Sequence, residues 1–281
     1  MNRKKIIILV LACAIIGTIV CLLSGGPGDE NIPPVDSAQT KPLNLSVFVD
    51  LSDRISKQTD KMDQSEKDQI IINNLAESFI QKQSTEGFQK SGDSFQVVFY
   101  PAPTGSQTLA ENLAINLKNI KGPKKKALLS FKNSYKDNLS ALYKNALDEQ
   151  DFFGSDIWGY FAKDKVSDLY RDDARNVIVI LSDGYIYDEH NKLQEGKNYS
   201  YILARTLAEK DSGLIPCEIS TPDVEIYFVE CNANPQTDYP KMKNILEKWF
   251  KDMGVKSVDI QATDIPTNVS KHLNKSIFPQ I

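Results

Sequence analysis

At 281 residues the chain can hold one large α/β domain or two small ones, with a sizeable core. Its 33 basic and 37 acidic side chains give a formal net charge of -4, an ordinary globular balance that offers no reason to expect a nucleic-acid partner. The densest basic run, Lys124-Lys125-Lys126, reads as a solvated helix start.

Residues 1–5 are a basic segment expected on the cytoplasmic side. Ile6 to Leu23 then runs without a charge for 18 residues, long enough for a membrane-spanning helix. Basic residues before it and none close after it direct the remainder out of the cytoplasm, to the periplasmic or extracellular side. An uncleaved anchor, a cleaved signal peptide before Ser24-Gly25-Gly26 and a lipoprotein box at Leu11-Ala12-Cys13 all give that same topology. Residues 24–42 are rich in Gly, Pro, Asp and Ser without periodicity and read as a flexible linker. One domain, 43–281, follows.

Within it, strand and helix signals alternate. Leu45 to Val49 is a strand, and Ser65 to Gln83 a helix with Ile71, Leu75, Phe79 and Ile80 on one face. Ser94 to Tyr100 is a second strand; Asn112 to Lys118 reads as an antiparallel edge strand or a helix. Lys125 to Glu149 is helical, and a further helix spans Ser155 to Leu169 behind Gly154. The strand Val177 to Leu181 precedes a helix over Tyr199 to Lys210. Val224 to Val229 is a strand, Pro240 to Met253 a helix with proline in its first turn, Ser257 to Gln261 a strand, and a last helix ends near Lys275. The near-continuous apolar strands imply a parallel sheet covered on both faces, so the fold class is doubly wound α/β.

Three polar segments would meet at the carboxyl edge of that sheet, where ligands of open α/β folds bind. The first strand runs into Asp50-Leu51-Ser52-Asp53-Arg54, and the central strand into Ser182-Asp183-Gly184. Gly154-Ser155-Asp156-Ile157 opens a helix. Carboxylates and hydroxyls together form a hard-oxygen set suited to Mg²⁺.

In order and spacing these segments resemble the von Willebrand factor A domain, over roughly Leu43 to Lys275. That resemblance implies a metal-ion-dependent adhesion site that holds Mg²⁺ or Mn²⁺ and grips an acidic side chain of a protein partner. Its metal ligands would be Asp50, Ser52, Ser155 and Asp183, with Asp53, Arg54 and Asp156 behind them. Arg54 departs from the family pattern, which has serine there. A guanidinium has no lone pair to donate. It either turns outward or pairs with Asp53 or Asp156, holding the loop without metal.

Cys217 and Cys231 flank the Val224 strand in the exported part, where a disulfide between them or two buried thiols can form. The aromatic segment from Tyr185 to Tyr201 offers anchors for a partner or is a mobile surface loop. Trp158 and Trp249 read as core, and His190 as a solvated loop residue.

No enzyme pattern emerges. A haloacid-dehalogenase-like phosphatase needs a carboxylate two residues after Asp50, and Ser52 stands there; no Gly-rich dinucleotide turn occurs. The reading is a membrane-anchored, protein-binding domain of the cell envelope. Its alternatives are a metal-independent structural subunit of an envelope assembly and a metal-dependent phosphoesterase using Asp50.

Overall fold

The computed structural model describes residues 41–56, 62–87, 91–100, 105–148, 157–162, 165–185, 193–195, 198–200, 223–233 and 235–279. All belong to one compact unit, Lys41–Ile281. The basic segment, the apolar segment Ile6 to Leu23 and most of the linker lie outside the described residues, as do Ser155, Asp156, His190 and Cys217. Among the described residues no helix is long and apolar enough to cross a membrane.

Six strands form one sheet, β1 (Leu43–Val49), β2 (Ser94–Phe99), β3 (Ala114–Asn116), β4 (Arg175–Leu181), β7 (Val224–Cys231) and β8 (Ser257–Ala262). Their spatial order is β3-β2-β1-β4-β7-β8, with β3 antiparallel and every other neighbour pair parallel. The edge-strand alternative for Asn112 to Lys118 is therefore the one realised, shortened to three residues. A separate hairpin pairs β5 (Leu193–Glu195) with β6 (Asn198–Ser200).

Two helical layers cover the sheet. Leu43, Leu45, Val47 and Val49 of β1 face one side together with α1 (Gln64–Glu86), α3 (Lys124–Asp148) and α7 (Pro266–Ile277). On α1, Ile71, Ile72, Leu75, Ala76 and Phe79 recur at three- and four-residue intervals, and on α3 Leu128, Phe131, Tyr135, Leu139 and Leu142 do the same. The opposite face, with Phe48, Ile178, Ile180, Ile226 and Phe228, packs on α4 (Ile157–Ala162), α5 (Lys165–Leu169) and α6 (Tyr239–Asp252). Trp249 is buried there, in edge contact with Phe161. A short helix, α2 (Gln107–Glu111), precedes β3. Each fully buried Leu, Ile, Val or Phe in these layers stabilises by about 1.5–3 kcal/mol.

Two expectations need correction. The helix expected over Ser155 to Leu169 is, among the described residues, two short ones, α4 and α5, both packed into the same apolar cluster. Tyr199, expected to open a helix running to Lys210, lies instead in β6, where it pairs with Gln194; residues 201–210 lie outside the described residues.

Candidate functional site

The strand order places a topological switch point between β1 and β4. Connections leave β1 toward β2 on one side, while β4, β7 and β8 follow on the other. The crevice at the carboxyl end of such a pair is where α/β sheets take their ligands. Asp50 lies there at the end of β1, and Ser182-Asp183-Gly184 at the end of β4. The parallel register Val49↔Leu181 puts the two loops side by side.

Both loops fold around the Asp50 carboxylate. Its Oδ1 accepts the Ser52 N–H at 2.8 Å, the side-chain-to-backbone bond of an Asx-turn, and its Oδ2 accepts the Ser182 hydroxyl at 2.7 Å. The Asp50 N–H donates to the Leu181 carbonyl at 3.0 Å. The β4 loop is tied in turn to β7, since Ser182 N–H donates to Val229 O and Asn232 N–H donates to Asp183 O. Asp183 turns its own loop, its Oδ1 accepting the Tyr185 N–H at 3.3 Å. Gly184 is required here, because φ is +97° and an added Cβ would lie 2.7 Å from Met242 Sδ and 3.1 Å from Cys231 Sγ.

Arg54 sits inside this site. The side chain is 2% exposed, and its guanidinium reaches inward under the loops rather than out to solvent. Nε donates to the Asp50 carbonyl at 3.1 Å and lies 3.7 Å from Asp50 Oδ2. Nη2 donates to the Leu181 carbonyl at 2.9 Å and to Asp68 Oδ2 at 2.6 Å, while Nη1 reaches Asp68 Oδ1 at 3.4 Å. One cationic side chain thus joins the ends of β1 and β4 to helix α1. Among the described side chains its carboxylate partner is Asp68, with Asp50 Oδ2 at 3.7 Å; the Asp53 side chain and Asp156, the partners considered from sequence, lie outside the described residues.

A second tier of polar groups backs the ion pair. Asp68 is fully buried and also accepts from Gln64 Nε2 at 3.0 Å and from the Tyr143 hydroxyl at 3.1 Å. Gln64 Nε2 lies 3.2 Å from Glu230 Oε2, which also accepts the Thr263 hydroxyl at 2.8 Å. Glu230 is buried with φ at +67°, a left-handed conformation that costs a non-glycine residue about 1–2 kcal/mol. Burial pushes the Asp68 carboxyl up to about 6, with Arg54 and Gln64 pulling the other way. Burial opposes the charge on Arg54, but Asp68 and Asp50 outweigh it and hold the guanidinium protonated. Burial and the Asp68 charge raise the Tyr143 phenol well above its ordinary value.

The divalent cation implied by the resemblance fits this arrangement poorly. Both Asp50 oxygens already accept hydrogen bonds, and a positive group fills the position of the family's second serine. With metal–oxygen distances of about 2.1 Å, a dication on Asp50 Oδ2 would sit no more than about 6 Å from Arg54 Nε. At an effective dielectric constant near 20 their repulsion is on the order of 5 kcal/mol. Asp68 offsets only part of this, because it faces the Nη end of the guanidinium while Asp50 faces the Nε end. Among the described residues no group of three or more His, Cys, Asp or Glu side chains is placed to hold a metal ion.

Of the residues singled out from sequence, Asp50, Ser52, Arg54 and Asp183 come together here. Cys231 does not form the disulfide considered for it. It is a buried free thiol at the end of β7, its Sγ 3.4 Å from Met242 Sδ. A register shift between Phe228 and Cys231, at the left-handed Glu230, turns the cysteine onto the α6 face with Phe228. Sequence reading missed Ser182 as the partner of Asp50, and Asp68, Tyr143 and Glu230 altogether. Asp68 had a signal, a charge one turn ahead of Ile71 and Ile72 on the apolar stripe of α1.

No family model matches the chain, and no curated protein matches it. Two solved structures are similar at the level of the backbone. One is an aerotolerance-related membrane protein from Bacteroides fragilis NCTC 9343 carrying multiple mutations to serine, at 12% identity, TM-score 0.37, over 85% of this chain and all of that one. The other is the pilus adhesin SpaC from Lactobacillus rhamnosus GG, at 11% identity and TM-score 0.41, with 85% of this chain spanning only 30% of the adhesin. At these scores neither likeness bears on what this chain does.

Proposed function

We propose that the chain is a membrane-tethered, extracytoplasmic protein-binding domain of von Willebrand factor A type, in which Arg54 organises the adhesion edge in place of a divalent cation. The observation that carries this reading is the buried guanidinium joined at once to the end of β1, the end of β4 and Asp68 on α1. A dication in such a site gathers loops that would otherwise repel through their carboxylates; Arg54 supplies positive charge to the same loops from within the chain. The tether and the side of the membrane rest on the Ile6 to Leu23 segment and its flanking charges. Burial of Asp50, with both oxygens engaged, speaks against its use as a nucleophile in a phosphoesterase.

Thermal unfolding of the full chain with Mg²⁺, with Mn²⁺ and with EDTA tests the reading. The midpoint is expected to be the same in all three. A saturable rise with Mg²⁺ that disappears in Asp183→Ala would reinstate the cation-bridged grip on an acidic side chain of a partner. The double variant Arg54→Ser, Asp68→Asn restores the family's hydroxyl and removes the buried charge pair, and should gain a Mg²⁺-dependent midpoint that the wild type lacks. Turnover of a phosphate ester that depends on Asp50 would replace the binding reading with the enzymatic one.

A further inference from the structure

The outer face of α3 carries a charge pattern unlike the rest of the molecule. From Asn112 to Lys136 the chain has seven lysines and no aspartate or glutamate, although its formal net charge is -4. Burial of Leu128, Phe131, Tyr135, Leu139 and Leu142 fixes the rotation of the helix, and Lys125, Lys126, Leu129 and Lys132 then face solvent. Leu129 is 49% exposed, one of two large hydrophobic side chains so placed among the described residues. Its neighbours at i−4, i−3 and i+3 are Lys125, Lys126 and Lys132, so an apolar side chain stands inside a ring of ammonium groups. At the margins Lys118 meets Asp173 at 2.8 Å and Lys136 meets Glu77, which bounds the patch.

We propose that this face rests on an anionic phospholipid surface. The patch is the outward side of one helix, and it presents lysines and no arginine. Lysine is a point charge that suits a diffuse layer of phosphates, whereas bidentate capture of single carboxylates favours arginine. Long lysine stems can lie along the bilayer surface with their ammonium groups at the phosphates, while Leu129 enters the interface. The proposal rests on the reading that the chain is membrane-tethered. A linker of the composition of residues 24–42 has a root-mean-square reach of about 25 Å, so a tethered domain meets its own bilayer constantly.

The full-length chain, reconstituted into vesicles of phosphatidylcholine alone or with phosphatidylglycerol, provides the test. Flotation reads the tether; acetylation of Lys121, Lys126 and Lys132 by a membrane-impermeant reagent, followed by mass spectrometry, reads the patch. Acetylation should be about threefold slower or more on phosphatidylglycerol vesicles, with the difference removed by high salt. Leu129→Ser and the pair Lys126→Glu, Lys132→Glu alter only the surface and should abolish the protection of Lys121. Protein that floats with both vesicle types but is acetylated equally on each overturns the patch alone. Protein that floats with neither overturns the tether and the proposal with it. Slowing by added polyglutamate but not by phosphatidylglycerol overturns the lipid assignment in favour of an acidic protein.

Discussion

Replacing Arg54 by methionine keeps most of the aliphatic volume and removes the charge. Three hydrogen-bond partners of the guanidinium are affected. Asp68, fully buried, keeps Gln64 and Tyr143 as its donors among the described residues. The Asp50 carbonyl loses the Nε bond, while the Leu181 carbonyl still receives the Asp50 N–H and is not orphaned. Breaking one partner out of a buried ion pair costs about 3–5 kcal/mol. The Asp68 carboxyl, already raised to about 6, moves further up and takes a proton near neutrality, which keeps the loss near the middle of that range. A loss of about 4 kcal/mol in a domain of this size lowers the midpoint by about 8–16 °C. Urea denaturation followed by circular dichroism at pH 7 measures it directly. Adding Asp68→Asn removes the stranded acid, so the double variant should recover at least about 2 kcal/mol relative to the sum of the single losses. If Arg54→Met costs less than about 1 kcal/mol, or the two substitutions simply add, Arg54 is not the organising cation and the argument fails.

Other consequences are open to measurement. Asp68 titrates near 6 in the fold against 3.8 as a free side chain, so its contribution to stability is present below pH 3.8 and lost as pH rises through about 6. The stability of wild type relative to Asp68→Asn should therefore fall between pH 4 and 7, and a flat difference across that range refutes the assignment. Burial and Asp183 push the Cys231 thiol up to about 12, so maleimide should label it at pH 8 only after unfolding, without prior reduction; failure to label the unfolded, unreduced chain would mean a disulfide after all. Gly184→Ala combines a left-handed φ with contact on Met242 and Cys231 and should cost about 2–3 kcal/mol in chemical denaturation, whereas Gly87→Ala carries the backbone cost alone, about 1–2 kcal/mol. Equal losses at the two glycines would show that packing around Gly184 is loose.

The parts of the fold that sequence disclosed are those where one physical signal dominates. Val177 to Leu181 of β4 is apolar on both faces, and β1 is buried along its whole length with Ser46 as the one polar residue from Leu45 to Val49, as a strand covered on both sides requires, and their buried partners on α1 and α3 recur at helical spacing. The meeting of Asp50 with Ser182-Asp183 followed from the same reasoning, since two central parallel strands deliver their following loops to one edge. The direction of Arg54 did not follow. It is decided by Asp68, 14 residues further on and one helix away, and only packing α1 against β1 brings the two together. Cys231 escaped for a related reason: period-two alternation assigns it one face, and the single left-handed residue Glu230 hands it to the other. Local pattern reports faces, while an ion pair or a bulge reports how elements meet.

The place of β1 in the middle of the sheet also decides how the domain bears load. The chain enters it at Leu43, whose N–H donates to Asp93 Oδ1 at 2.8 Å, just after Pro42, whose carbonyl accepts the Arg175 N–H at 2.8 Å. Tension applied at Lys41 would pull this strand lengthwise between two parallel neighbours, β2 and β4. Every rung of both ladders is then sheared together rather than unzipped one at a time. At the far end Arg54 acts as a toggle, since withdrawing β1 would drag Asp50 away from a guanidinium fastened to α1 and β4. A domain strung in this way resists being pulled apart by the very strand through which force reaches it.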